Sequence, residues 1–219
     1  MFEKIETEED AYYLGLLLAD GCASISKKKS KSISLELKKE DGYIIYRFKK
    51  YMNVTNKIQE KDKSTSISIG SKDLFYNLQK FNCVPKKSLI LIFPENINPV
   101  LYCHLIRGYF DGDGSISNTT YLRKSRSNKS LPSFKRNKWE LSFVGTLEFL
   151  TSLKLIINVP GILYKVNKKN NKNTYRLSYS HNVRVKQVLD FMYSTATVYM
   201  KRKHDRYLEF YQIVNAKAI

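Results

Sequence analysis

The chain has 219 residues, and its 38 lysines and arginines outnumber its 20 aspartates and glutamates, so the formal net charge is +18. Apolar residues make up 42% of the sequence, enough to bury a hydrophobic core, which excludes an intrinsically disordered chain. The basic residues are spread along the chain and not gathered on one amphipathic helix, which favours nucleic acid over an anionic membrane surface as the partner.

Membrane spans, secretion signals and metal fingers are not indicated. The sequence has no apolar run of about 18 residues, and its first ten residues are acidic where a secretory signal would be basic. The three cysteines form no CxxC pair, which argues against a disulfide framework or a zinc finger. We therefore expect a soluble protein that is not exported and stays inside the cell.

An internal repeat organises the sequence. The segment Tyr12–Gly21 (YYLGLLLADG) returns as Leu105–Gly114 (LIRGYFDGDG), about one small subdomain later. Each copy has the apolar character of a buried helix and ends in Asp-Gly. The repeat predicts two halves of similar structure.

The pattern that follows each copy predicts the same order of elements. Period-two alternation and turn signals in the first half indicate a hairpin of Ser24–Lys28 with Ser32–Lys38, a helix from Asp41 to Tyr51, a hairpin of Lys57–Gln59 with Thr65–Ile69, and a helix over Lys72–Phe81. The second half shows strands near Ser115–Tyr121 and Lys138–Phe143, a helix over Leu147–Ile157, a hairpin within Ile162–Tyr179, and helices over Val183–Tyr193 and Met200–Val214.

These elements predict an α+β fold made of two pseudo-symmetric αββαββα subdomains with antiparallel sheets. We place the first subdomain at 1–81 and the second at 100–219. The proline-rich segment 82–99 is interpreted as the linker because three prolines prevent a continuous helix.

Small residues recur on both repeated helices. Gly15 and Ala19 are four residues apart, as are Gly108 and Gly112, and such stripes allow two helices to pack closely. The terminal glycines, Gly21 and Gly114, fit the left-handed position that often ends a helix.

Asp20 and Asp113 stand in the last turn of these helices, where the helix dipole disfavours a carboxylate. Two aspartates at equivalent positions suggest that a cation neutralises both. If the helices pack side by side, the carboxylates meet at one end and, with main-chain oxygens, form a hard-ligand site suited to Mg²⁺ and to phosphodiester hydrolysis.

The polar faces of the predicted strands are candidates for DNA contact. An antiparallel ribbon fits the major groove, where short polar and basic side chains reach base edges and phosphates. The candidate residues are Ser24, Ser26, Lys28, Ser32, Ser34, Glu36, Lys38, Ser66 and Ser68 in the first half, and Lys138, Glu140, Ser142, Lys165, Arg176 and Ser178 in the second. Two basic segments, 122–137 and 168–172, are expected to be loops at hairpin tips.

Leu-Gly-Leu-Leu-Leu-Ala-Asp-Gly at 14–21 and Arg-Gly-Tyr-Phe-Asp-Gly-Asp-Gly at 107–114 resemble the two signature motifs of a monomeric LAGLIDADG homing endonuclease. Motif order, spacing and the surrounding elements extend the resemblance over nearly the whole chain. The resemblance implies a monomer that needs no protein partner, with sheets forming a saddle on double-stranded DNA. It also implies Mg²⁺-dependent cleavage of both strands across the minor groove, leaving 3′ overhangs. We expect Mn²⁺ to substitute for Mg²⁺, and Ca²⁺ to support binding without cleavage.

The resemblance also assigns roles to individual residues. Asp20 and Asp113 match the metal-binding acids, the carbonyls of Ala19 and Gly112 match the main-chain metal contacts, and Asp111 matches an acidic position without a catalytic role. The remaining candidate catalytic residues are Lys39 at the end of the second strand, Lys86 or else Lys87, and Lys201 or else Lys203. In the second half Val144 and Gly145 stand where Lys39 stands in the first, so the two active sites are not expected to be equivalent.

Two other functions remain open at this point. One is a catalytically silent DNA-binding relative, against which the retention of both aspartates argues. The other is a maturase of the same fold that assists splicing of intron RNA, which the sequence does not separate from a nuclease.

Overall fold

A computed structural model of the chain describes residues 1–123, 134–166 and 173–215. The first half consists of helix α1 (Glu8–Asp20), strands β1 (Gly21–Ile25) and β2 (Lys31–Lys38), helix α2 (Gly42–Tyr51), strands β3 (Ile58–Glu60) and β4 (Ser64–Gly70), and helix α3 (Lys72–Gln79). The second half consists of α4 (Tyr102–Asp113), β5 (Gly114–Arg123), β6 (Phe134–Gly145), α5 (Leu147–Ile157), β7 (Ile162–Lys165), β8 (Tyr175–Ser180), α6 (Asn182–Tyr193) and α7 (Lys201–Asn215).

Each half contains one four-stranded antiparallel sheet. The strand orders are β1-β2-β4-β3 and β5-β6-β8-β7, so the second sheet repeats the topology of the first. This confirms the α+β fold with two αββαββα units. Between α3 and α4 the chain forms short 3₁₀ turns at Lys87–Leu89 and Pro99–Leu101. The subdomain limits 1–81, 82–99 and 100–219 remain an interpretation of the sequence.

The alternation predicted for the strands is observed as burial. Ile33, Leu35 and Leu37 of β2 are buried against the helices, and Trp139, Leu141 and Phe143 of β6 are buried in the second half. The other face of each sheet is polar. Burial of the apolar rows fixes the register, because a slip by one residue would turn every side chain to the opposite face.

Helices α1 and α4, which we call the motif helices, contact each other directly through their glycines. A Cβ atom placed on Gly15 would lie 2.0 Å from the Leu105 carbonyl oxygen, and one on Gly108 would lie 2.0 Å from the Tyr12 carbonyl oxygen. Only a residue without a side chain permits this approach of the two backbones. The prediction of close packing through small residues is confirmed.

The prediction of a left-handed conformation for Gly21 and Gly114 is wrong. Both have extended backbones, with φ of −74° and −83°, and each begins a strand directly after its helix. Both positions require glycine because there is no room for a side chain. A Cβ would lie 2.5 Å from the Leu17 carbonyl oxygen at Gly21 and 2.4 Å from the Phe110 carbonyl oxygen at Gly114.

A buried polar network joins the two halves at the opposite end of the motif helices from Asp20. Arg107 is fully buried on α4, and its guanidinium donates to Glu8 of α1 at 2.6 Å and to the carbonyl oxygens of Met192 and Val198 at 2.8 Å each. Glu8 also accepts hydrogen bonds from the backbone amides of Thr197 and Val198. The network therefore ties α1, α4 and the segment before α7 together.

Residues 124–133 and 167–172 lie outside the described residues, and they include most of the basic segment 122–137 and all of the segment 168–172. The described ends of the first segment, 122–123 and 134–137, belong to β5 and β6, so the expectation of a loop is wrong for these residues. Within the described ranges, no helix is long and apolar enough to cross a membrane.

Candidate active site and nucleic-acid interface

The two motif aspartates meet where α1 and α4 end. A Cβ placed on Gly112 would lie 2.4 Å from the Ala19 Cβ and 2.9 Å from Oδ2 of Asp20, so the Asp20 side chain rests against the last turn of α4. Asp113 is the last residue of α4, one position after Gly112. The expectation that both carboxylates emerge at the same end of the helix pair therefore agrees with the helix contact.

Electrostatic surroundings raise the pKa of both carboxyl groups. Burial raises the pKa of Asp20 to about 6 and the charge of Asp113 adds to this, while Lys87, Arg202 and Lys203 oppose it. Burial also raises the pKa of Asp113, opposed by Lys87 and Lys203. Two carboxylates that disfavour each other's charge at a helix C-terminus are stabilised by a bound cation.

One lysine in each half binds the carbonyl that follows the aspartate. The Lys87 ammonium donates to the Gly21 carbonyl oxygen, and the Lys203 ammonium donates to the Gly114 carbonyl oxygen and, at 3.2 Å, to that of Phe110. Both lysines are buried. Burial lowers the pKa of Lys203 to about 8. Lys87 and Lys203 thus place one ammonium group beside the end of each motif helix.

The other candidate lysines are all exposed. Lys86 precedes Lys87 in a left-handed conformation with φ of 57°, and Lys39 opens a 3₁₀ turn after β2. Lys201 forms a 2.8 Å ion pair with Asp205 on the surface of α7. The structure therefore puts Lys87 and Lys203, rather than Lys86 and Lys201, next to the aspartates. In sequence each pair consists of neighbouring basic residues, and only the fold distinguishes them.

The strand register brings the candidate DNA-contact residues together on the polar face of each sheet. Ser24 pairs with Ser32, and Ser34 with Ser68. Glu36 pairs with Ser66, and in the second sheet Ser142 pairs with Ser178. Further residues occupy the same rows and were missed from the sequence, because β1, β3 and β5 show weak alternation: Cys22 and Gln59 in the first sheet, and Ser115, Ser117 and Thr119 in the second.

Most of these polar side chains are exposed or half-buried, but Ser142 is an exception. Ser142 is only 3% exposed and accepts a 2.8 Å hydrogen bond from Arg176 of β8, so the arginine lies over it. Direct access of Ser142 to a ligand therefore requires movement of Arg176. Ser178 donates to Glu140 at 3.0 Å, which links two more of the candidates. Five candidates are exposed to solvent: Ser26, Lys28, Lys38, Lys138 and Lys165.

Asp111 has a structural position, as the sequence analysis anticipated for a residue without a catalytic role. It is fully buried and accepts hydrogen bonds from the hydroxyls of Tyr12 and Tyr193 at 2.8 and 2.9 Å, and from the Met200 backbone amide at 2.6 Å. Burial raises its pKa to about 6, against the effect of these donors. Arg107, which is buried directly before the motif glycine Gly108, was missed although an arginine in an apolar helix is a signal for such a network.

The donor set limits what the site can bind. Among the described residues, no three His, Cys, Asp or Glu side chains are grouped to hold a metal ion. The side chains available as ligands at the ends of α1 and α4 are thus the carboxylates of Asp20 and Asp113, with main-chain carbonyls nearby. Such an incomplete oxygen set fits a hard cation that completes its shell with water and phosphate oxygens, as Mg²⁺ does.

Residues 106–214 match the LAGLIDADG endonuclease family. No curated protein shows significant sequence similarity to the chain.

Solved structures share the fold over almost the entire chain. The LAGLIDADG meganuclease I-AabMI bound to uncleaved DNA is 15% identical, covers 95% of this chain and 91% of its own, and has a TM-score of 0.66. The I-LtrWI LAGLIDADG homing endonuclease bound to target DNA is 11% identical, with coverages of 95% and 91% and a TM-score of 0.67. I-SmaMI bound to an uncleaved DNA target in the presence of calcium ions is 14% identical, with coverages of 93% and 89% and a TM-score of 0.62.

The two motif helices in contact through their glycines, the repeated sheet topology and these matches together place the chain in the LAGLIDADG endonuclease family.

Proposed function

We propose that this protein is a monomeric site-specific endonuclease that makes a double-strand break in a long DNA target, using a divalent metal ion, preferably Mg²⁺. The observation that carries the proposal is the pair of carboxylates, Asp20 and Asp113, at the joined ends of the motif helices. A protein that only binds DNA would gain nothing from two negative charges at this position. The fold's similarity to DNA-bound meganucleases supports the same proposal.

The chain's own residues have distinct tasks in this proposal. Asp20 and Asp113 hold the metal ions, together with the carbonyls of Ala19 and Gly112. A bound metal ion supplies polarisation of the scissile phosphate and activation of water. Lys87 and Lys203 fix the strands that leave each motif by binding the Gly21 and Gly114 carbonyls, and they add positive charge where phosphates approach.

The two sheets supply the DNA-binding surface in this proposal. Their polar faces follow directly from the motif ends, because β1 and β5 begin at the residues after Asp20 and Asp113. A seven-residue strand spans about 23 Å, or about seven base pairs. Two sheets side by side thus form a saddle over more than one helical turn, with the scissile phosphates at its centre, across the minor groove.

The proposal is tested by selecting cleaved molecules from a random duplex DNA library in Mg²⁺. We expect one enriched site longer than one helical turn, cut on both strands with 3′ overhangs. Mn²⁺ should replace Mg²⁺, and Ca²⁺ should retain binding without cleavage. Enrichment by binding without cleavage would indicate a silent DNA-binding relative. Binding to intron RNA with no duplex cleavage would indicate a maturase, and either result would contradict the proposal.

A further inference from the structure

The start of helix α7, in the second half, is fixed to the start of α2 in the first half. Nε of Arg202 donates to Oδ2 of Asp41 at 2.7 Å, and the Lys201 backbone amide donates to the Tyr43 hydroxyl. The Asp41 side chain is only 3% exposed, so this ion pair is largely shielded from water on the acidic side. Because a buried carboxylate without its partner is costly, Asp41 holds Arg202 firmly in one place.

This contact brings Arg202 to the end of the motif helices. The next residue, Lys203, binds the Phe110 and Gly114 carbonyls at the end of α4. Asp20 rests against the same turn of α4 at Gly112. Arg202 therefore lies between the start of α2 and the turn on which Asp20 rests.

The guanidinium has hydrogen-bond donors left for a ligand. Its contacts to Asp41 and, at 3.9 Å, to Glu40 both use Nε. The side chain is 38% exposed. The two terminal amino groups can thus form the paired hydrogen bonds that a guanidinium makes with a phosphate.

In the part of the second half that the structure describes, this ion pair has no equivalent. Lys86 stands where Arg202 does, directly before the buried lysine, and it is exposed in a left-handed conformation. At the start of α5, where α2 carries Asp41, the Thr146 hydroxyl donates to the Leu91 carbonyl oxygen. The side chains around the two aspartates differ accordingly. Lys87 lines a cleft with Asp113, Val144 and Gly145, in which the uncharged Val144 and Gly145 stand where Lys39 does in the first half.

We propose that Arg202 binds the scissile phosphate in the active site of Asp20, that Asp41 is its positioning residue, and that this arginine makes the two active sites unequal. The inference rests on the proposed function and extends it to a residue that the second half contributes to the first site. It predicts that the two DNA strands depend differently on Arg202.

The test measures the cleavage rate of each strand separately, on a selected target duplex with a different label on each strand. Arg202→Gln is expected to slow one strand on the order of 100-fold and the other by less than about three-fold. Nicked circles should then accumulate from a supercoiled plasmid. Lys87→Met should slow the opposite strand, because Lys87 is the counterpart of Lys203 and lines a cleft with Asp113. Arg206→Gln, one turn later on α7 and paired with Glu209, is the matched control and should change neither strand.

Two further measurements separate phosphate binding from a loss of structure. In EDTA, Arg202→Gln should reduce the slope of log K against log salt concentration by about one. Asp41→Asn should slow the same strand, and the double variant should be no slower than Arg202→Gln alone. The double variant also removes the unpaired carboxylate, so it should melt at a higher temperature than Arg202→Gln.

Equal slowing of both strands, or no slowing with an unchanged salt slope, would overturn the role of Arg202 while leaving the proposed function in place. Absence of cleavage by the unaltered protein on every selected sequence would overturn the proposed function itself, and this inference with it.

Discussion

At the scale of single residues, the site is built from groups whose charge is costly in the free protein. Asp20 ends a helix without a basic residue in its last turn and lies beside a second carboxylate. The nearby lysines donate to main-chain carbonyls and do not pair with it. Such an arrangement is unfavourable for folding and favourable for binding a cation, which is the trade-off expected at an active site.

This cost predicts a pH-dependent effect of Asp20→Asn on stability without metal. Because the pKa of Asp20 is raised in the folded protein to about 6, its protonated form stabilises the fold below pH 4, and that contribution is lost as the pH rises through 6. In EDTA, Asp20→Asn should therefore raise the melting temperature at pH 7 to 8. The gain should shrink as the pH falls and vanish near pH 4.

The measurement is a series of thermal melts from pH 4 to pH 8, with Asp62→Asn, an exposed aspartate in the turn between β3 and β4, as the control. If the difference in melting temperature between Asp20→Asn and the unaltered protein does not change with pH, the pKa of Asp20 is not raised in the folded protein.

At the scale of elements, the motif helices show which features the sequence predicts well. Their apolar run, their small residues and the order of the strands after them are local patterns, and each is confirmed. The conformation of Gly21 was mispredicted because steric exclusion by Leu17, which selects glycine here, is invisible in the sequence. The sequence also could not show that Lys87 and not Lys86 lies at the site, since the two neighbouring lysines differ only in which of them the fold buries.

Contacts between distant elements were the least predictable part of the site. Asp41 lies at the start of a predicted helix, yet its side chain forms no hydrogen bond that caps the helix and instead pairs with Arg202, which is far away in the sequence. The same holds for Asp111, whose three donors come from α1, α6 and the residue before α7. A single sequence gives no signal for such partners.

The helix contact predicts that Gly15 tolerates no side chain. Gly15→Ala would place its Cβ 2.0 Å from the Leu105 carbonyl oxygen, and because this neighbour is backbone, the helices must move apart. We expect a loss of about 2 to 3 kcal/mol in the free energy of unfolding. That loss corresponds to a melting temperature lower by roughly 5 to 10 °C for a chain of this size.

Gly70→Ala is the matched control, since nothing lies within 4 Å of a Cβ at that glycine. Calorimetry of both variants checks the contact. If Gly15→Ala melts with the unaltered protein, the two backbones are not in contact at this position.

At the scale of the whole molecule, we expect the net charge of +18 and the polar faces of the two sheets to act together in binding DNA. Neutralisation of about eight phosphates would release the counterions that they had condensed. The logarithm of the binding constant should then fall against the logarithm of the salt concentration with a slope near −7, or about four decades between 50 and 200 mM. Titrations of a selected target at several salt concentrations measure this slope, and one shallower than about −2 would contradict a broad basic interface.

The assignment of Asp20 and Asp113 as the metal-binding pair is tested most directly by Asp20→Asn and Asp113→Asn, assayed on a selected target for cleavage in Mg²⁺ and for binding in Ca²⁺. Asparagine keeps the size of each side chain but removes the charge that holds the metal ion. We predict that binding survives in both variants while cleavage falls by several orders of magnitude. Cleavage of both strands at the unaltered rate by either variant would contradict the assignment.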